Sequence, residues 1–85
     1  MKIVVVGQGY VGLPVAMRAV EAGFDVVGFE VEDWKVEGLS SGRSHIDDVT
    51  DADIAAALAT GRYTPSNRDH DLDDFDIAVI TVPTP

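Results

Sequence analysis

Gly7-Gln8-Gly9-Tyr10-Val11-Gly12 sets three glycines at the spacing G-x-G-x-x-G. Where a strand turns directly into a helix, each glycine has a physical task. Gly7 permits the tight turn out of the strand. Gly9 carries no side chain to hold the backbone away from a pyrophosphate, and Gly12 lets the helix press closely on the sheet. The amides around Tyr10 and Val11, at the positive end of the helix dipole, then receive the phosphates. Glu30 lies about 20 residues further on, at the end of a second strand, where a carboxylate accepts hydrogen bonds from ribose hydroxyls. The same carboxylate repels a 2′-phosphate, and Val31 and Glu32 offer no compensating cation, so the pattern points to NAD rather than NADP. Spacing leaves two readings of Lys35 open, a ribose or adenine contact and a solvated lysine.

Other polar groups carry less. His45 with Asp47 and Asp48, and Asp69-His70-Asp71, have metal-ligand types. Neighbours on one loop rarely enclose an ion unaided, and with no second cluster to complete either set, no metal is expected. There is no cysteine, and no Ser-His-Asp set or placed carboxylate pair emerges, so no catalytic residue is assigned within the chain.

The elements that must position the glycine loop follow from the apolar pattern. Lys2 to Val6 is a β-branched run bounded by Gly7, the pattern of a strand buried on both faces. Tyr10 to Ala22 shifts to helical period, with Pro14, Arg18 and Glu21 on one narrow face and Gly23 as the left-handed stop. Asp25 to Glu30 reads as a second buried strand, and Glu32 to Leu39 as a short helix with Trp34, Val36 and Leu39 on its apolar side. Thr50 is placed to cap a helix from Asp51 to Thr60, ahead of Gly61. Arg62 to Thr64 is a weak third strand that Pro65 should stop. A polar helical turn over Asp71 to Phe75 and a fourth strand from Asp76 to Val82 complete the chain before Pro83-Thr84-Pro85. Alternating strands and helices predict an α/β fold, a Rossmann-type parallel sheet with helices on both faces, in strand order 3-2-1-4 and amounting to the first half of such a domain.

Composition bounds the function. Eighty-five residues make at most one small domain. A net charge of −9, from fifteen acidic and six basic residues, repels phosphate backbones and anionic lipid, so neither nucleic acid nor membrane is an expected partner. Any phosphate must therefore be held by backbone dipoles. The apolar runs are too short to cross a bilayer, and a strand follows Met1-Lys2 directly, which makes the cytoplasm the expected location.

Gly7-Gln8-Gly9-Tyr10-Val11-Gly12-Leu13-Pro14, Gly23 to Glu30, Lys35, Ser44-His45-Ile46-Asp47-Asp48-Val49 and Val82-Pro83-Thr84-Pro85 together resemble the start of the UDP-glucose/GDP-mannose dehydrogenase family. The resemblance covers essentially the whole chain, and the glycine motif with the late V-P-T-P is specific as a pair. It implies an NAD-dependent oxidoreductase that oxidises the C6 alcohol of a nucleotide sugar to a carboxylate with two NAD per turnover. The Ser44 to Val49 stretch leans toward the branch acting on UDP-N-acetylhexosamines rather than UDP-glucose. By position, the resemblance brings Val11 and its neighbours to the NAD pyrophosphate, Glu30 and Lys35 to the adenosine ribose, and Thr84 beside the cofactor. Family members usually have aspartate where Glu30 stands, one methylene shorter. They are also several times longer, so residues 1–85 are expected to be a partial NAD-binding domain. The UDP-sugar would be reached only through downstream regions, and the full-length protein is expected to form a homo-oligomer. Two alternatives remain open at this point: another Rossmann dehydrogenase of 3-hydroxyacid or 6-phosphogluconate type, and a non-catalytic NAD-sensing regulatory module.

Overall fold

The structure, a computed structural model, describes residues 1–81. Its elements run β1 (Lys2–Val6), α1 (Gly12–Glu21), β2 (Asp25–Phe29), α2 (Asp33–Ser40), α3 (Asp51–Ala59), β3 (Tyr63–Ser66), a 3-10 turn (Asp69–Leu72) and β4 (Ile77–Ile80). All pairings are parallel, in the order β3-β2-β1-β4. The predicted topology is therefore the observed one.

Strand alternation divides the sheet's apolar residues. Ile3, Val5 and Val26 belong to the core cluster with the α1 stripe Leu13, Ala16, Met17 and Val20, a spacing of three and four that faces one side of a helix. Val4 and Val27, in register with each other, are buried between these positions. Leu39 from α2 and Ile54 and Ala57 from α3 close the same core. Helix ends follow local chemistry. Gly23 and Gly61 take φ of +94° and +74° just past α1 and α3, and Thr50 and Asp53 form a reciprocal capping box at the start of α3.

Several element ends shift by a residue or two from the sequence expectation, and three differences stand out. Helix α1 begins at Gly12 rather than Tyr10, leaving Gly9 to Val11 in the loop. The polar turn sits at Asp69–Leu72 rather than Asp71 to Phe75. Strand β3 runs through Pro65 to Ser66 instead of stopping before it. The reason is its place at the sheet edge: the carbonyls of Arg62 and Ser66 accept from Val26 and Glu30, so Pro65, alternating with them, turns its nitrogen to the open side where no donor is needed. Trp34 is also corrected. It is 59% exposed rather than part of the apolar side of α2, which is carried by Leu39.

A right-handed crossover in this order carries the β3–β4 link over the face opposite α1. Among the described residues the β3–β4 link holds a single 3-10 turn, packed on β2. Among the described residues strand β4 pairs with β1 alone, and its Ile77 and Ile80 are 44% and 72% exposed. No helix of the described residues is long and apolar enough to cross a membrane.

Candidate functional site

The carboxyl ends of β1 and β2 open onto a cleft of ≈ 610 Å³. Of the residues singled out from sequence, Gly7, Gly9, Tyr10, Val11, Glu30 and Lys35 all line it. Gly12 is buried behind it, and Thr84 lies outside the described residues. The cleft also takes in Val31 and Glu32, noted in the sequence only for lacking a cation, and Thr81, which the sequence did not single out.

The three glycines have distinct geometric reasons. Gly7 takes φ +94°, a conformation that L side chains rarely adopt. At Gly12 a β-carbon would overlap the Gly7 carbonyl oxygen and the Thr81 hydroxyl, so the helix can approach the loop only without a side chain there. At Gly9 an added β-carbon would meet nothing within 4 Å. Its side of the loop is open space, the room a phosphate group needs. Val11 is the N-cap of α1 and its side chain makes no cap, and the first turn holds no acid; among the described residues the positive helix end is thus left without a cap from its own N-cap or an acid in its first turn. Just past β4, the Thr81 hydroxyl donates toward the carbonyls of Val6 and Gly7, each at 2.9 Å, and its amide donates to Val6 at 2.8 Å. Thr81 therefore fixes the point where β1 becomes the loop.

Glu30 is only 6% exposed. Its Oε1 accepts from the Gln8 amide at 2.9 Å and its Oε2 from the Glu32 amide at 3.1 Å. A carboxylate has about four acceptor positions, so two remain for a ligand's hydroxyls. Glu30 thus ties the glycine loop to the end of β2 as well as facing the cleft. Lys35 donates to Glu32 at 2.8 Å and stands over the Trp34 ring at 5.5 Å. The hydrogen bond to Glu32 raises the Lys35 pKa above its usual value, with the Glu30 charge adding to it, and the same bond holds Glu32 below the usual carboxylate range.

The residue that sequence reasoning passed over is Gln8, an "x" of the motif, which is fully buried. Every polar atom it has is engaged. Its amide donates to Glu30, its Nε2 donates to Val5 and Gly7 carbonyls at 3.2 and 3.0 Å, and its Oε1 accepts from the Tyr63 hydroxyl at 2.7 Å. Its carbonyl pairs with His45 Nε2 at 2.5 Å. Gly28 makes room for this side chain, since a β-carbon there would overlap the Gln8 amide oxygen. Burial, and then the Glu30 charge, push the Tyr63 phenol well above its ordinary range, so it stays a donor. Of the two histidines in those clusters, His45 meets Gln8 and Trp34, and His70 lies beside Asp71 at 3.6 Å.

Residues 1–85 match the model of the "UDP-glucose/GDP-mannose dehydrogenase family, NAD binding domain". The UDP-N-acetyl-D-mannosamine dehydrogenase of Pyrococcus horikoshii is 34% identical over 86 residues, covering 100% of this chain and 21% of that protein. The structure of the P. horikoshii enzyme superposes with a TM-score of 0.93. The UDP-N-acetyl-D-glucosamine 6-dehydrogenase of Pseudomonas aeruginosa is 36% identical over 87 residues, covering 100% of this chain and 19% of that protein. A ternary complex of GDP-mannose dehydrogenase from P. aeruginosa gives a TM-score of 0.91 at 30% identity, covering 100% of this chain and 20% of the other. The chain spans about a fifth of the length of these relatives.

Proposed function

Since the chain belongs to the UDP-glucose/GDP-mannose dehydrogenase family, matching its NAD-binding domain, we propose that it forms the adenosine-binding half of the NAD-binding domain of a nucleotide-sugar 6-dehydrogenase. The observation that carries this reading is the single cleft joining the open side of Gly9, the uncapped start of α1 and the Glu30 carboxylate. Gly7 and Gly12 shape the loop. Gly9, Tyr10 and Val11 present backbone to the pyrophosphate, and Glu30 with Lys35 meets the ribose. Thr84 is proposed to stand beside the cofactor beyond the described residues. NAD, when bound, supplies the hydride acceptor for oxidation of an alcohol. The chain's own residues bind and orient it, and Glu30 disfavours a 2′-phosphate by like charge.

The substrate we propose is a UDP-N-acetylhexosamine, oxidised at C6 from alcohol to carboxylate. Two NAD accept the two hydrides, and water supplies the second oxygen. Support comes from the Ser44 to Val49 stretch and from the names of the two curated relatives. The groups that act on the sugar are proposed to lie outside residues 1–85, and the full-length protein is proposed to form a homo-oligomer. The test is NADH formation by the native gene product offered UDP-N-acetylglucosamine, UDP-N-acetylmannosamine and UDP-glucose in turn. Turnover with an N-acetylated sugar is expected. NAD binding without oxidation of any nucleotide sugar would favour the sensing module instead.

A further inference from the structure

His45 lies in the loop between α2 and α3, 37 residues from Gln8, outside the cleft, yet its Nε2 meets the Gln8 carbonyl at 2.5 Å. The ring is placed from several sides. It stands edge-on to Trp34, centroids 5.6 Å apart and planes at 68°. On one side, the Ser44 amide donates to Asp51 at 2.8 Å, and the Ser44 hydroxyl donates to the Ile46 carbonyl at 2.9 Å. On the other, Ile46 is buried in the core cluster. A histidine so fixed is not a free surface group.

The Gln8 carbonyl can only accept, so His45 must carry its proton on Nε2. Among the described residues no peptide is cis, and in a trans peptide the N–H points opposite to the C=O. Holding the Gln8 carbonyl toward His45 therefore holds the Gly9 N–H on the side away from it. Gly9 itself lines the cleft. Rotation of the Gln8–Gly9 peptide would replace that donor with an oxygen, which repels a phosphate. Glycine permits such a rotation more readily than other residues, so something outside the loop has to prevent it.

We propose that His45 is a positioning residue for dinucleotide binding: its Nε2–H fixes the Gln8–Gly9 peptide so that the glycine loop presents donors to the pyrophosphate. The inference rests on the cleft being the pyrophosphate site. The test measures NAD and adenosine affinity of the native gene product by calorimetry and NMR, with melting temperatures, for His45→Leu, His45→Gln and Gly9→Val. Gln carries an N–H near the Nε2 position but no ring. His45→Leu should weaken NAD about three- to tenfold, the scale of one lost hydrogen bond, and leave adenosine, which has no pyrophosphate, unchanged. His45→Gln should bind NAD within about twofold of the parent. Parental NAD affinity in His45→Leu, equal loss of adenosine, or a folded His45→Gln as weak as the leucine variant would each overturn the proposal. Should His45→Leu fail to fold, His45→Gln decides against the parent: NAD affinity within about twofold supports the proposal, and a loss of about threefold or more overturns it. Retained NAD binding in Gly9→Val would instead bring down the cleft assignment, whereas loss there beside unchanged binding in His45→Leu brings down only the role of His45.

Discussion

Replacing Tyr63 by phenylalanine removes one oxygen from a side chain that is 3% exposed, and with it the donor 2.7 Å from Gln8 Oε1. The Gln8 amide cannot turn over to compensate, because its Nε2 is held by the Val5 and Gly7 carbonyls and rotation would set oxygen against oxygen. The variant therefore leaves a fully buried acceptor unpaired, at a cost of about 1–3 kcal/mol. In a domain of this size each kcal/mol moves the midpoint by about 4–8 °C, so the Tm of Tyr63→Phe should fall by about 5–20 °C at neutral pH. The phenol also sets a pH dependence. Its pKa is raised from an ordinary 10.0, so above that pH the unfolded state releases its proton first. Stability that is full below pH 10 is then lost as pH rises toward the folded value. Phenylalanine has no such proton, so the gap between parent and variant should narrow in melts above pH 10. Replacing both partners, in Gln8→Met with Tyr63→Phe, should cost less than the two single changes added, since neither then leaves an orphan. A Tyr63→Phe midpoint within about 2 °C of the parent, or a gap that does not change with pH, would refute the network as described.

Gly9→Val should abolish NAD binding while far-UV circular dichroism stays close to the parent, because the added side chain fills space that is open in the fold. The parent should prefer NAD to NADP in titrations at one ionic strength, and Glu30→Ala should narrow that preference. The same variant should melt lower, because the Gln8 and Glu32 amides lose their acceptor. Residues 1–85 alone should bind NAD weakly, oxidise no sugar and self-associate on size-exclusion chromatography, since β4 offers an open edge with Ile77 and Ile80 exposed.

The glycine loop and Glu30 were legible in the sequence because their chemistry is local: a spacing fixes Gly7, Gly9 and Gly12, and the end of a strand fixes Glu30. The topology followed from the β-branched runs and from glycines such as Gly23, whose left-handed conformation ends a helix. Gln8 was not legible, since its role depends on Gly28, Tyr63 and His45, which no spacing rule joins to it. A faint signal existed in Gly28, an unexplained gap in a buried strand. Pro65 misled because a rule sound for interior strands does not bind an edge. Trp34 misled because an aromatic on a short helix reads as core, whereas here it shoulders His45 and Lys35.

The fold offers the dinucleotide a second cavity, a rival to the cleft at the glycine loop. A groove of ≈ 520 Å³ between α1 and α3 is lined by Pro14, Met17, Val49 and Ala57 among others. Amide NMR of the native gene product, titrated with NAD, separates the two directly. The cleft predicts the largest shifts at Gly9, Tyr10, Val11 and Val31, with Met17 and Ala57 unmoved. Shifts concentrated at Met17, Val49 and Ala57, with the Gly7 to Gly12 amides unchanged, would contradict it.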